Sequence, residues 1–181
     1  MITEIEVLKD VAERLEAAEI DYMLTGSIAM NYYAVPRMTR DIDIVVALGP
    51  RDAERLRERF ASDYYVPPLE ELARELETSG MFNLVHLASL VKVDAVVRKN
   101  EPYRLQEFRR RQQIELPGFR VWIVAKEDLI LSKLFWARES RSELQLRDVR
   151  NLLASGVDEA YLAQWSARLG VAALLDECRH E

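Results

Sequence analysis

Asp41 and Asp43 stand two residues apart at the head of an apolar run, Asp41-Ile42-Asp43-Ile44-Val45-Val46, and this pair narrows the possible folds more than anything else in the chain. Read as a strand, the run sends both carboxylates to one face and Ile42 and Ile44 to the other. Carboxylates held side by side repel, and neither gives up water without a positive partner. A hard divalent cation such as Mg2+ is one such partner, since it takes oxygen ligands. Gly26-Ser27 precedes the pair by thirteen residues, and a third aspartate, Asp94, sits inside the apolar run Val91-Lys92-Val93-Asp94-Ala95-Val96-Val97. A Gly-Ser turn at a helix start offers backbone N–H groups, a hydroxyl and the positive end of the helix dipole, all of which favour a phosphate. Together these residues have the composition of a metal-dependent nucleotide site. For Asp94 the competing reading is a salt bridge to Lys92 on the same strand face, which contributes little on an exposed strand.

The rest of the chain sets bounds on that site. A length of 181 residues supports one domain with a real core, and 49% hydrophobic with 31% charged residues is ordinary for a compact globular fold. A formal net charge of -6 argues against coating nucleic acid by bulk attraction, though not against a local basic groove. Arginine outnumbers lysine 20 to 5, with Arg109-Arg110-Arg111 the densest cluster; it reads as a solvated helix end, with phosphate contact the alternative. Cys178 is the only cysteine, which excludes an internal disulfide and a cysteine-based zinc site. No apolar stretch reaches the roughly 18 residues a membrane span requires. Nor does the N-terminus pair a basic segment with an apolar one, so no membrane partner is expected and the cytoplasm is the expected location.

Along the chain, Thr3 and Glu6 form a capping-box pair ahead of Ile5, Leu8, Val11, Leu15 and Ala18 at helical spacing. Tyr22-Met23-Leu24 reads as a short strand, Ser27 to Tyr33 as a helix start, Ile42 to Leu48 as a strand and Arg51 to Phe60 as a helix. Pro67-Pro68 breaks the chain before an acidic helix, Leu69 to Glu77, taken as a covering element. Met81 to Leu87 and Leu90 to Val97 read as a hairpin around Ala88-Ser89. Leu116-Pro117-Gly118-Phe119 has the residues of a type II turn between two short strands, the second Arg120 to Val124. From Lys126 the pattern is helical. The expected division is therefore a core over 1–125 and a helical segment over 126–181 packed on it.

Thr25-Gly26-Ser27, the thirteen-residue gap, Asp41-Ile42-Asp43 and Asp94 resemble the signature of the polymerase-beta-type nucleotidyltransferase superfamily. That resemblance implies a mixed α/β nucleotidyltransferase fold, in which glycine-serine opens the nucleotide pocket and three acidic residues hold the metals. Leu129-Ile130-Leu131-Ser132-Lys133 and Gln145-Leu146-Arg147-Asp148 resemble the C-terminal motif of AbiEii-like nucleotidyltransferases, a group that includes toxins of toxin-antitoxin systems. On a helix, Lys133 falls between Ile130 and Ala137 and Asp148 between Leu144 and Leu152, so both charges lie on apolar faces while Arg147 lies off them. They form either a buried ion pair joining two helices or contacts to a nucleotide, and both can hold at once. One departure from the pattern is Thr25, where many relatives have a first glycine.

The expected activity is transfer of NMP from an NTP to a hydroxyl acceptor, with two Mg2+ ions and with Asp41, Asp43 and Asp94 as metal ligands and catalytic residues. Asp94 is the candidate to take the acceptor's proton, and Gly26, Ser27, Lys133 and Asp148 are the candidates to hold the nucleotide. The resemblance implies an RNA, protein or small-molecule acceptor and an antitoxin partner. The alternatives are a catalytically silent nucleotidyltransferase-fold module that binds a nucleotide or a partner, and a purely structural metal site. His86 and His180 read as an edge histidine and a frayed-tail histidine, and Trp122, Trp136 and Trp165 as core residues.

Overall fold

The computed structural model describes residues 2–180. Its first helix, α1 (Glu4–Ala17), starts where the capping box places it. The Thr3 hydroxyl accepts from the Glu6 N–H at 3.3 Å, and the Thr3 N–H donates to the Glu6 carboxylate at 2.7 Å, satisfying two otherwise orphaned donors. Val7, Leu8, Val11, Ala12 and Leu15 form the buried stripe of this helix. Strand β1 (Tyr22–Thr25) then leads directly into helix α2 (Gly26–Tyr33), and β2 spans Asp41–Val46. A 3-10 turn at Pro50–Asp52 runs into α3 (Ala53–Phe60), followed by the two-residue strand β3 (Tyr64–Tyr65) and the acidic α4 (Leu69–Glu77). Strands β4 (Met81–His86) and β5 (Lys92–Val97) form the expected hairpin.

Helix α5 (Pro102–Arg109) is marked in the sequence only by its arginine-rich end, although proline at its first turn is a start signal. Strands β6 (Gln112–Leu116) and β7 (Phe119–Ile123) pair across the Pro117-Gly118 turn, where Gly118 has the positive φ of 87° that a type II turn requires. Helices α6 (Lys126–Ser140), α7 (Glu143–Leu153), α8 (Glu159–Leu169) and α9 (Ala172–His180) complete the described residues. Among those residues, no helix is long and apolar enough to cross a membrane.

The fold is mixed α/β, built on a seven-stranded sheet of order β3-β4-β5-β2-β1-β7-β6. Strand β2 runs parallel to β5 and antiparallel to β1, while β1 is parallel to β7. Register follows from the period-2 pattern, since a slip of one residue would send every apolar side chain to the wrong face. Ile42, Ile44 and Val46 of β2, Val93, Ala95 and Val97 of β5, and Phe82 and Leu84 of β4 are all buried on one face. The opposite face of these strands is only half covered, and it carries Asp41, Asp43, Lys92 and Asp94.

Two sequence expectations are corrected by the packing. Trp136 is not a core residue but 68% exposed. Helix α6 is buried almost all round from Asp128 to Leu134, then leaves the core, so in its last turns only Ala137 still faces inward. Trp122 and Trp165, by contrast, pack against the core. The arginine cluster is not a uniformly solvated helix end. Arg109 is exposed, but Arg110 binds Asp128 at 2.8 Å and Glu127 at 3.0 Å and stacks 3.8 Å over the Tyr161 ring. Arg111 reaches Asp21 at 2.9 Å and lies over Phe108 and Trp122. These guanidiniums join elements to one another, which accounts for their fork geometry without a phosphate.

Candidate functional site

Strand register builds the site. Asn83 of β4 pairs with Asp94 of β5, Asp94 with Asp43 of β2, and Asp43 with Thr25 of β1, so one rung of the half-open face reads Asn83, Asp94, Asp43, Thr25. The adjacent rung holds Val85, Lys92 and Asp41. Neighbouring strands lie about 4.7–4.9 Å apart, so Asp43 and Asp94 stand side by side, close enough for the Asp94 charge to act on Asp43. The three aspartates named from the sequence therefore share one face. Asp43 and Asp94 are direct neighbours, and Asp41 stands one rung away with its side chain 52% exposed.

Asp43 lies under the Gly26-Ser27 turn. Gly26 has φ +64°, and a Cβ placed there would come within 2.0 Å of Asp43 Oδ2, so glycine is required both by the backbone and by the carboxylate beneath it. Burial first, and then the Asp94 charge, push the Asp43 carboxyl above the usual carboxylate range; the Ser27 N–H and the Lys133 ammonium act in the opposite direction. Asp94 Oδ2 binds the Lys92 ammonium at 3.0 Å, so the ion pair that competes with a metal in the sequence is present. Asp94 Oδ1, however, is buried with no hydrogen-bond partner among the described residues. Lys92 also stands 3.9 Å from Asp41, and its own pKa is raised, chiefly by its bond to Asp94.

Helices α6 and α7 bring a second charge cluster to the turn. The Lys133 ammonium donates to Asp148 at 2.8 Å and to the Gln145 carbonyl oxygen at 3.0 Å, with both charged side chains buried. Arg37, from the segment between α2 and β2, adds a third partner that the sequence reading did not single out. Its guanidinium donates to Asp148 at 3.1 Å and to the Ser27 hydroxyl at 2.6 Å. Lys133 and Asp148 thus form the buried ion pair foreseen as one alternative, and they are tied through Arg37 to the Gly-Ser turn. A cation lying between the turn and Asp41 in sequence was the available signal for Arg37. Arg147 is exposed, and His86 is taken up structurally, with Nδ1 2.8 Å from the Ser89 hydroxyl and its ring against Tyr64.

Whether these residues suit a divalent cation can be tested on the site itself. Among the described residues, no three His, Cys, Asp or Glu side chains form a group that could hold a metal. Two observations nevertheless fit one: the orphaned Asp94 Oδ1, and the Gly26 cradle, whose missing Cβ lets Asp43 Oδ2 lie directly under the turn. A buried carboxylate oxygen without a donor is costly, and a cation between Asp43 and Asp94 would relieve both that cost and their mutual repulsion.

No protein-family model and no curated protein matches the sequence. Solved structures do match. An antigenic nucleotidyltransferase-like protein from Paracoccidioides brasiliensis superposes with a TM-score of 0.62 at 18% identity, over 97% of this chain and 91% of that one. The antibiotic-resistance factor ANT(2'')-Ia gives 0.62 at 17% identity over 98% of each chain. The lincosamide antibiotic adenylyltransferase LnuA gives 0.57 at 13% identity, over 86% of this chain and 99% of that one. The chain has the nucleotidyltransferase fold that these structures share.

Proposed function

We propose that this protein is a Mg2+-dependent nucleotidyltransferase that moves NMP from an NTP to a hydroxyl acceptor. The observation that carries the reading is the rung Asp94-Asp43-Thr25 at the mouth of the Gly26-Ser27 turn, with Asp94 Oδ1 buried and unpartnered. In a nucleotidyltransferase fold, this juxtaposition supports the reading of carboxylates acting beside a phosphate-binding turn. Asp43 and Asp94 would hold the cation, with Asp41 at its exposed rim. Bound there, a divalent cation supplies charge stabilisation to the oxygens around the α-phosphorus.

The remaining roles fall to the chain's own groups. Gly26 and Ser27 form the turn that receives the phosphates, with the Ser27 N–H shared with Asp43, and Arg37 and Lys133, balanced by Asp148, hold that turn in place. The acceptor oxygen attacks the α-phosphorus, pyrophosphate leaves, and Asp94 takes the acceptor's proton. The half-open face beyond Asp94, toward Asn83 and Met81, is where an acceptor can approach. Small hydroxylated acceptors are favoured by the neighbours, one of which was solved with adenylyl-2''-tobramycin and another with lincomycin. The AbiEii-like resemblance, carried by Lys133, Gln145 and Asp148, adds RNA or protein acceptors and an antitoxin partner as the toxin form of the same chemistry.

The test is incorporation of label from each radiolabelled NTP with Mg2+ into aminoglycosides, lincosamides, RNA and cell extract. Transfer abolished by Asp43→Asn and by Asp94→Asn is the expected result; no transfer to any acceptor would remove the enzyme claim. A second reading, a catalytically silent nucleotide-binding module, is favoured by one observation, the Lys92 ammonium already lying against Asp94. Under that reading Asp43→Asn leaves nucleotide binding intact in calorimetry, whereas the enzyme loses metal-dependent binding.

A further inference from the structure

Lys92 places a cation of the chain's own among the carboxylates of the site. Its ammonium is 3.0 Å from Asp94 Oδ2 and 3.9 Å from Asp41 Oδ2, on the rung beside the Asp43-Asp94 pair. Asp94 is thereby divided: Oδ2 is taken by Lys92, while Oδ1 is buried with no hydrogen-bond partner among the described residues, on the strand position paired with Asp43. Asp41, with a half-exposed side chain, has no contact with the Gly26 turn comparable to that of Asp43, and the three carboxylates do not form a single metal-holding group. The site thus has one half closed by an ion pair, Asp41-Lys92-Asp94 Oδ2, and one half of carboxylates alone, Asp94 Oδ1-Asp43.

We infer that Lys92 serves as a tethered substitute for the second metal ion, so that the site takes one divalent cation, between Asp43 and Asp94 Oδ1, rather than two. The inference rests on the metal-site reading above and narrows it. An ammonium on a four-carbon stem is a compact point charge that can sit between carboxylates, and its tether removes the entropic cost of recruiting a second ion. It carries one positive charge where a metal carries two, so Asp41, Lys92 and Asp94 together leave a net charge of -1 to meet the incoming cation. Asp41 is then a positioning residue that holds Lys92, not a ligand of the bound ion.

Counting ions tests this without any turnover. Bound Mn2+ per chain is measured by equilibrium dialysis with the full protein, alone and with an equimolar mixture of non-hydrolysable analogues of the four common NTPs. The wild type should hold one ion in both conditions. Lys92→Met should hold two with the analogues present, and Lys92→Arg, which keeps the tethered charge, should hold one. For the first ion alone, Lys92→Met should bind about tenfold more tightly, the order expected from removing a unit positive charge near a divalent cation in water. Circular dichroism melts confirm that each variant is folded; Lys92 lies on a partly exposed strand position, where substitution leaves the core intact. Two ions in the wild type, or one in both wild type and Lys92→Met, overturn the role of Lys92 while leaving the metal site standing. No bound ion in any of the three proteins overturns the metal-site reading itself.

Discussion

Replacing Gly26 by alanine tests whether the turn and Asp43 form one unit. Two costs are separable in the structure. Residue 26 has φ +64°, where a residue with a Cβ is disfavoured by about 1–2 kcal/mol. The new methyl would also come within 2.0 Å of Asp43 Oδ2, 2.5 Å of Cγ and 2.7 Å of Cβ, so the side chain below must move, and overpacking of this kind costs about 1–3 kcal/mol. The sum is about 2–5 kcal/mol, equivalent to a fall in Tm of about 5–15 °C for a domain of this size. A double-mutant cycle isolates the second cost. Shortening Asp43→Gly removes all three atoms the methyl would strike, so in that background Gly26→Ala should cost only the backbone share, leaving a coupling of about 1–3 kcal/mol. Chemical denaturation of the four proteins measures it. If Gly26→Ala costs the same in both backgrounds to within about 0.5 kcal/mol, the turn is not shaped around Asp43 and the cradle argument fails.

Three further outcomes follow from the packing. Asp148→Leu leaves the buried Lys133 ammonium without its carboxylate and should cost about 3–5 kcal/mol in urea unfolding, a penalty far above that of an exposed pair. The Asp148 carboxyl is held below the usual range because Arg37 and Lys133 outweigh its burial, so its stabilising contribution is present above about pH 4 and lost as pH falls through its folded pKa. The stability gap between wild type and Asp148→Asn should therefore shrink on acidification from pH 5 to pH 2.5, read from parallel denaturation curves; a gap that widens has the wrong sign. Trp136→Ala, at a site 68% exposed, should change stability by no more than about 0.5 kcal/mol and should remove the most water-exposed component of the tryptophan emission.

The fold was legible in the sequence wherever pattern and local chemistry agree. Thr3 and Glu6 mark the start of α1, the alternation of Asp41 to Val46 sets both the strand and its polar face, and Pro117-Gly118 specifies its turn. Helix α5 escaped because its apolar residues do not recur on one face: Tyr103, Glu107 and Phe108 are the buried ones, and a buried glutamate bonded to Ser132 and Arg104 has no periodic signature. Trp136 escaped for the opposite reason. Its helix is buried on nearly all sides over Asp128 to Leu134, polar Asp128, Ser132 and Lys133 included, so position along the axis, not around it, decides exposure. In the site, the proximity of Asp43 to Asp94 depends on the parallel pairing of β2 with β5, a non-local contact that spacing alone does not reveal. Arg37 was hidden because its partners, Ser27 and Asp148, are 10 and 111 residues away.

These partners close a ring that decides whether the C-terminal helices serve architecture or nucleotide binding. Asp43 faces the Ser27 N–H, the Ser27 hydroxyl accepts from Arg37, Arg37 pairs with Asp148, Asp148 pairs with Lys133, and the Lys133 charge acts back on Asp43. Two carboxylates and two cations make the ring neutral, so it can order the turn without altering the charge offered to a ligand. Removing Asp148 alone breaks that balance, whereas Lys133→Met with Asp148→Leu removes one charge of each sign from buried positions and should recover most of the lost stability. Arg37, only partly buried, would then hydrate and release the Ser27 hydroxyl. If the ring orients the phosphate cradle, the double variant refolds but binds NTP analogues at least about tenfold more weakly, the size of one charge-assisted hydrogen bond. Nucleotide affinity that returns together with stability would show instead that Lys133 and Asp148 only hold two helices together.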